Sequence, residues 1–216
     1  MSHLKRQMIP KNWPVPRKGT KYVSRPNFAL KMGMPLLIIL RDMLKIAKNR
    51  KEVKRAIHEK NILINGKIII DDKTTVQLFD KITIVPSKKH YKLDLSKKGK
   101  FALDEINEKE ANEKIAKIIN KKILKGKKVQ LNLGDGRNFI SDMKCKVNDS
   151  VSINLKNRKI QKCVSLEKNA KAIVVAGKHA GERGIIMELK PKRKMVELKV
   201  KDKKMNILIK QIIVIE

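Results

Sequence analysis

The chain has 216 residues, with 53 Lys and Arg against 21 Asp and Glu; the difference, +32, excludes an ordinary near-neutral surface and makes a polyanion, nucleic acid, the expected partner. A hydrophobic content of 41% excludes a wholly disordered basic tail. Only seven residues are aromatic (Trp13, Tyr22, Phe28, Phe79, Tyr91, Phe101 and Phe139), so contact through Lys and Arg to phosphate is expected rather than stacking of many bases.

Residues 1–32 read as a basic extended arm. The first acid is Asp42, and nine basic residues precede it: Lys5, Arg6, Lys11, Arg17, Lys18, Lys21, Arg25, Lys31 and Arg41. Five of the seven prolines fall in the first 35 positions, which excludes a helix or a central strand there. Such an arm repels itself, and a phosphate backbone turns that repulsion into attraction. The plain alternative is a solubility tail, but Trp13 and Tyr22 are bulky rings that need somewhere to pack. The opening MSHLKRQMIPK lacks an apolar signal core, so an intracellular, cytoplasmic protein is expected.

Pro35 suits the first position of a helix, and PLLIILRDMLKIAK continues at helical spacing. Leu36, Leu40, Met43, Leu44 and Ala47 share one face; Arg41, Lys45 and Lys48 share another. Asn49-Arg-Lys-Glu52 is a capping signature that opens a second helix, with Val53, Ala56 and Ile57 inside and Lys51, Lys54, Arg55 and His58 on an adjacent face. In ILINGKIII, two β-branched runs flank Asn65-Gly66, a strong hairpin signal, and QLFDKITIV supplies a further strand. The spacing then predicts a helix over 106–123, capped by Asn107 and Glu110. Strands follow over 129–133, 150–155 and 159–166, with turns at Gly134-Asp135-Gly136 and Asn157-Arg158. The last fifty residues hold five short strands, which suggests a small antiparallel barrel.

Two basic helix faces side by side match a phosphate backbone, and RNA contact is the favoured reading of that cluster, although Lys and Arg also populate any exposed helix face. In VAGKHAGERG (175–184) the glycine spacing fits neither a P-loop nor a dinucleotide fingerprint. The glycines read as tight reversals between strands, with Lys178, His179 and Arg183 left on exposed loops. Asp135-Gly136-Arg137-Asn138 is open: it either reads a nucleic acid or is a well-made turn. Cys145 and Cys163 stand outside any Cys-x-x-Cys pair, and the four His (His3, His58, His90 and His179) are scattered, so no zinc spacing arises and reduced structural cysteines are expected. The adjacent Asp71 and Asp72, read on a strand, would face opposite ways. With a longest uncharged run of nine residues, Met32 to Leu40, against about twenty for a span, no membrane contact is expected. No catalytic constellation, cofactor site or small-molecule substrate site stands out.

Taken together, these segments resemble the small-subunit ribosomal protein S4e family of archaea and eukaryotes. HLKR (3–6) with KNWPVPRKGTKYVSRP (11–26) resembles its arm. PLLIILRDMLKIAKNRKEVKRAI with NILINGK looks like its S4-type RNA-binding module. QLNLGDGRN (130–138) and KVNDSVSINL (146–155) resemble its central domain, and VAGKHAGERGIIMEL looks like a KOW motif. PVPRKGTKYV and the short C-terminus look archaeal. The chain departs from the family at NFALKMG (27–33), at Gly134, where His is common, and at Asn148, where Gly is common.

The resemblance implies a structural constituent of the small ribosomal subunit, in the cytoplasm, that binds and stabilises ribosomal RNA beside neighbouring small-subunit ribosomal proteins, and that is not an enzyme. It implies an α+β chain with four parts: a basic arm (1–32), an S4-type αα-β module (33–95), a central β-rich domain (96–168) and an SH3-like KOW barrel (169–216). RNA contact carries over to Arg41, Lys45, Arg50, Lys51, Lys54, Arg55 and Lys67. To these the residues themselves add Lys5, Arg6, Lys11, Trp13, Arg17, Lys18, Lys21 and Arg25 in the arm, with Arg137, Lys178 and Arg183 beyond it. Two rivals compete: an RNA-modifying enzyme that grips substrate with the S4-type module, and a free regulatory factor with a KOW module. The first needs a catalytic constellation that 96–216 does not display; the second has little use for so long a basic arm.

Overall fold

Leu36 to Leu40 are all buried, so the first helix is apolar on every side and lies inside its unit rather than on its surface. The structure, a computed structural model, describes residues 3–200 and 203–215. The chain divides into two compact units: Met1–Asp94 with Lys100–Asn112, and Leu95–Gly99 with Glu113–Glu216. Among the described residues no helix is long and apolar enough to cross a membrane.

In the first unit the arm corrects the expectation of an extended thread. Strand β1 (Leu4–Lys5) pairs antiparallel with β2 (Tyr22–Val23), closing residues 4–23 into a loop. The Arg6 guanidinium fills that loop: Nε donates to Thr20 O at 2.6 Å, Nη1 to Pro16 O at 2.8 Å and Nη2 to Thr20 Oγ1 at 2.7 Å. A proline-rich loop has carbonyls with no strand partner, and a five-donor fork can satisfy several of them at once. Trp13 is only 2% exposed, and Asn12 O accepts from the Phe101 N–H at 2.8 Å. The arm is therefore closed by its own Arg6 and held at Asn12 by Phe101.

Residues 27–28 then dock on the 71–75 loop, where Asn27 Nδ2 donates to Asp71 Oδ2 at 2.9 Å and the Phe28 N–H to Thr75 Oγ1 at 2.9 Å. After β3 (Gly33–Pro35), Pro35 caps α1 (Leu36–Ile38), whose leading N–H groups on Leu36 and Leu37 donate to Thr74 O and Asp72 O. The helix widens into one π turn, Ile39–Met43, closed by the Leu44 N–H on Ile39 O. Lys45 then takes a left-handed backbone, φ 53°, and helix geometry ends. Arg41, Lys45 and Lys48 thus do not share the continuous helical face that their spacing suggests.

Helix α2 (Arg50–His58) starts where the capping signature predicts: Asn49 Oδ1 accepts from the Glu52 N–H at 3.0 Å, and Glu52 Oε2 from the Lys48 N–H at 2.7 Å. Val53 and Ile57 are buried, and Ala56 is half-buried. Strands β4 (Ile62–Ile64) and β5 (Lys67–Ile68) form the expected hairpin, with Asn65 at φ 51° and Gly66 at φ 71°. Strand β6 (Thr75–Gln77) returns to pair with β3. Strands β7 (Lys81–Ile84), β8 (Lys89–Leu95) and β9 (Phe101–Ile106) complete a five-stranded sheet in the order β5-β4-β7-β8-β9. Asn65 locks this sheet to the 77–80 turn: its amide donates to Asp80 Oδ1 at 2.7 Å, and its carbonyl accepts from the Lys81 N–H at 3.0 Å. Asp71 and Asp72 lie in a turn, not on a strand, and Asp72 is buried against Arg50.

The helix expected over 106–123 is mostly strand. Only one turn, α3 (Glu108–Ala111), is helical, and the Asn107 side chain makes no cap hydrogen bond. Strand β10 (Glu113–Ile123) follows, and burial alternates along it: Lys114, Ala116 and Ile118 are inside. The isoleucine spacing fits both periods; partners on both sides decide. β11 (Val129–Leu133) pairs on one side, with β12 (Asn138–Ile140) beyond it, and β13 (Ser150–Asn154) on the other, with β14 (Lys159–Val164) beyond that. A third five-stranded sheet, antiparallel throughout, holds β15 (Lys171–Val174), β16 (Arg183–Lys190), β17 (Met195–Val200), β18 (Lys203–Leu208) and β19 (Ile212–Ile215), in the order β18-β17-β16-β15-β19.

Three polar devices hold this second unit. Lys114 Nζ meets Asp135 Oδ2 at 2.6 Å, with side chains 2% and 7% exposed. Burial pulls the Asp135 carboxyl up, but the Lys114 ammonium and the Arg137 N–H hold it below the usual carboxylate range. Lys117 Nζ donates to Ile209 O, and to Ile212 O at 2.8 Å, and burial pushes its pKa down to about 8. Asp149 is buried and accepts from the Lys146 N–H at 2.7 Å and the Leu166 N–H at 3.0 Å. Beside it Asn148 has φ 77°, the left-handed backbone that Asn tolerates better than most residues.

Asn65→Ala removes two buried hydrogen bonds and places Ala at positive φ, so a loss of about 2–4 kcal/mol is expected from urea unfolding of the first unit. Lys114→Met takes the nearest cation from a buried carboxylate that keeps the Arg137 N–H and, at 3.6 Å, its guanidinium, and is expected to cost about 2–4 kcal/mol, with the double variant Lys114→Met/Asp135→Leu recovering most of it. Because the Asp135 pKa is lowered on folding, its stabilisation is complete above the unfolded value of about 3.9 and is lost as pH falls through the folded one. Acid unfolding followed by circular dichroism should show this part of the acid sensitivity in the parent and not in the double variant.

Candidate nucleic-acid interface

The closed arm keeps most of its cations outside. Lys5, Lys11, Arg17, Lys18, Lys21 and Arg25 are exposed. Arg6 is half-buried and committed to the loop carbonyls, while Trp13 is buried and presents no face for a base to stack on. Tyr22 is 46% exposed, with Lys21 Nζ 5.4 Å from its ring centroid. Of the two rings expected to pack, one does so fully.

Around α2, Lys45, Lys51, Lys54 and Lys67 are exposed, as is Lys48. The arginines are each held by a carboxylate. Arg41 Nε lies 2.8 Å from Asp42, Arg50 Nε 2.7 Å from Asp72, and Arg55 Nε 2.8 Å from Glu59 one turn on. In every case the side-chain hydrogen bond raises the guanidinium pKa. These contacts run through one edge of the fork and leave Nη1 donors for a second anion. Arg41 and Arg50 are held at two points, each giving both Nε and Nη2 to its aspartate, whereas Arg55 gives Nε alone.

The Asp-Gly-Arg-Asn segment, open on sequence, folds as a tight turn. Gly136 N–H donates to Leu133 O, Leu133 N–H to Arg137 O, and Asp135 is committed to Lys114. Arg137 is half-buried, with Nε 3.6 Å from Asp135. In the glycine-rich segment Lys178 and Arg183 are exposed. Gly181 has φ 90°, and a Cβ there would meet Ser96 O at 1.9 Å, so this glycine answers to close backbone approach. The turn at 155–158 exposes Lys156 and Arg158, which the sequence reading used only as a reversal; cations set on a turn were the signal. Cys145 is buried and both cysteines are free; burial, with Cys145 alongside, pushes the Cys163 thiol up to about 12. No group of three or more His, Cys, Asp or Glu among the described residues could hold a metal ion.

Comparison with known proteins gives these cations a setting. The family model for ribosomal family S4e matches residues 87–160, and that for the RS4NT domain matches residues 2–28. The small ribosomal subunit protein eS4 of Methanocella arvoryzae is 39% identical over 192 residues, covering 88% of this chain and 81% of that protein. Its counterpart from Nanoarchaeum equitans is 37% identical over 87% of this chain and 82% of its own length. The crystal structure of the 30S ribosomal protein S4e from Thermoplasma acidophilum superposes with a TM-score of 0.74 at 26% identity, covering 85% of this chain and 95% of that one. The resemblance read from the motifs is therefore correct: this chain belongs to the S4e family of small-subunit ribosomal proteins, a family of ribosomal structural components and not of enzymes.

Proposed function

We infer that the chain is a structural constituent of the small ribosomal subunit in the cytoplasm, that it binds ribosomal RNA there, and that it does so by neutralising backbone phosphates. The observation that carries this reading is the charge of +32 in a chain whose relatives are named small-subunit proteins. The exposed cations Lys5, Lys11, Arg17, Lys18, Lys21 and Arg25 of the arm contact RNA, as do Lys45, Lys51, Lys54, Arg55 and Lys67 around α2 and Lys178 and Arg183 in the second unit. Arg6 and Trp13 contribute by shaping the arm, and Arg50 and Arg137 serve RNA through the donors their carboxylates leave free. Neighbouring small-subunit proteins cover part of the remaining surface.

The division into arm, S4-type module, central domain and SH3-like KOW barrel is part of the same reading. The five antiparallel strands β15–β19 support the barrel, and the capped α2 followed by a hairpin supports the module.

The mechanism is release of condensed counterions as each phosphate is neutralised. Log affinity for ribosomal RNA is then expected to fall with log salt at about −0.7 to −0.9 per contact. A filter-binding titration on small-subunit RNA should give a slope steeper than about −3; a shallower one is incompatible with so broad a clamp. Lys51→Met/Lys54→Met is expected to weaken binding uniformly across RNA sequences and to flatten the slope by about 1.5 to 2, with α2 intact by circular dichroism. In a sucrose gradient of cell lysate the chain should travel with small subunits, and recovery only in the light fractions is the contrary result.

A further inference from the structure

A cavity of about 340 Å³ lies in the first unit between the closed arm and α1, within the size range of small-ligand sites. Arg6, Lys18 and Arg41 line it, with the hydroxyls of Thr20 and Ser24 and one carboxylate, Asp42. Three cations against one anion leave the pocket positive. Each cation retains donors. Arg6 spends three N–H groups on the arm and keeps two. Arg41 spends Nε and Nη2 on Asp42 and keeps Nη1. Lys18 is exposed and makes no hydrogen bond or ion pair among the described residues. The Ser24 hydroxyl, beside the cavity, is shielded from water and has no hydrogen-bond partner in the described structure.

We propose that this pocket is a dedicated seat for one phosphodiester of an RNA strand, bound by Lys18, Arg6 and Arg41, with Asp42 as a built-in competitor that holds Arg41 until the phosphate arrives. The proposal rests on the RNA-binding reading above and deepens it. Diffuse neutralisation needs only cations on a surface. Here three cations and a counter-anion line one partly open recess, and the closure of the arm by Arg6 builds its wall. The pocket therefore exists only while the arm is folded.

The test uses the full-length protein and a fluorescein-labelled oligouridylate of about ten nucleotides, with affinity read by anisotropy across a salt series. Lys18→Met is expected to weaken binding about five- to tenfold and to flatten the salt slope by about 0.7. Asp42→Asn, which frees Arg41 and removes the competing charge, is expected to tighten binding about threefold. Lys168→Met and Glu167→Gln make the same changes of net charge at exposed positions of the second unit and are expected to shift affinity less than about twofold. Equal effects at the two sets of positions would overturn the pocket, as would wild-type affinity in Lys18→Met together with a loss in Lys51→Met/Lys54→Met; either leaves general RNA binding standing. Absence of any binding by the parent protein would overturn both readings. Sodium phosphate is expected to displace the oligonucleotide no better than sodium sulfate at equal ionic strength. Selective displacement by phosphate that disappears in Lys18→Met would assign the pocket to free phosphate and overturn the strand.

Discussion

The constraint that organises this protein is the scarcity of negative charge. With 21 acids to 53 bases, each carboxylate placed inside is one fewer on a surface that must stay positive. Asp72, Asp80, Asp94 and Asp149 are buried, and each is tied to a group that shapes the backbone: Asp72 to Arg50, Asp80 to Asn65 and Gln77, Asp94 to Lys92, Asp149 to the N–H groups of Lys146 and Leu166. Asp135, nearly as deep, fixes a turn through Lys114. These five carboxylates act as internal fasteners, while others, such as Glu52, Glu105 and Glu167, stay on the surface among the more numerous Lys and Arg. The same economy that builds the fold creates the polyanion-seeking surface.

Two local motifs in the sequence decide the conformation on their own, while the similar Asn107 and Glu110 pair makes no side-chain cap. Asn49 with Glu52 sets the start of α2, and Asn65-Gly66 sets a hairpin, because both motifs satisfy their own backbone within a few residues. Where partners far along the chain decide, the reading failed. Residues 113–123 carry isoleucines at a spacing that suits helix and strand alike, and β11 and β13 settle the matter by pairing on both sides. The helix after Pro35 looked longer than it is, since nothing in LRDMLKIAK announces a π turn or the left-handed backbone of Lys45.

Exposure of the candidate cations is legible in the sequence only in part. Exposure of Lys51, Lys54 and Lys67 follows from the pattern, as does that of the arm lysines. That Arg6 points inward does not, because its acceptors are carbonyls of Pro16 and Thr20, and every residue has a carbonyl. Trp13 was rightly expected to need a packing partner, and this same need removes it from contact with a base. Charge tells which kind of ligand a surface suits; only tertiary structure tells which cations are already spent.

The connections of the arm also impose an order on its maturation. Arg6 reaches acceptors 10 and 14 positions away, so that ring costs little loop-closure entropy and can close while most of the chain is still unmade. Asn12 is held instead by the N–H of Phe101, 89 positions downstream. During synthesis the ring is thus an early, provisional structure, and its seating waits until β9 has emerged and found its neighbours. A nascent polypeptide stalled short of that strand would carry a formed but undocked arm.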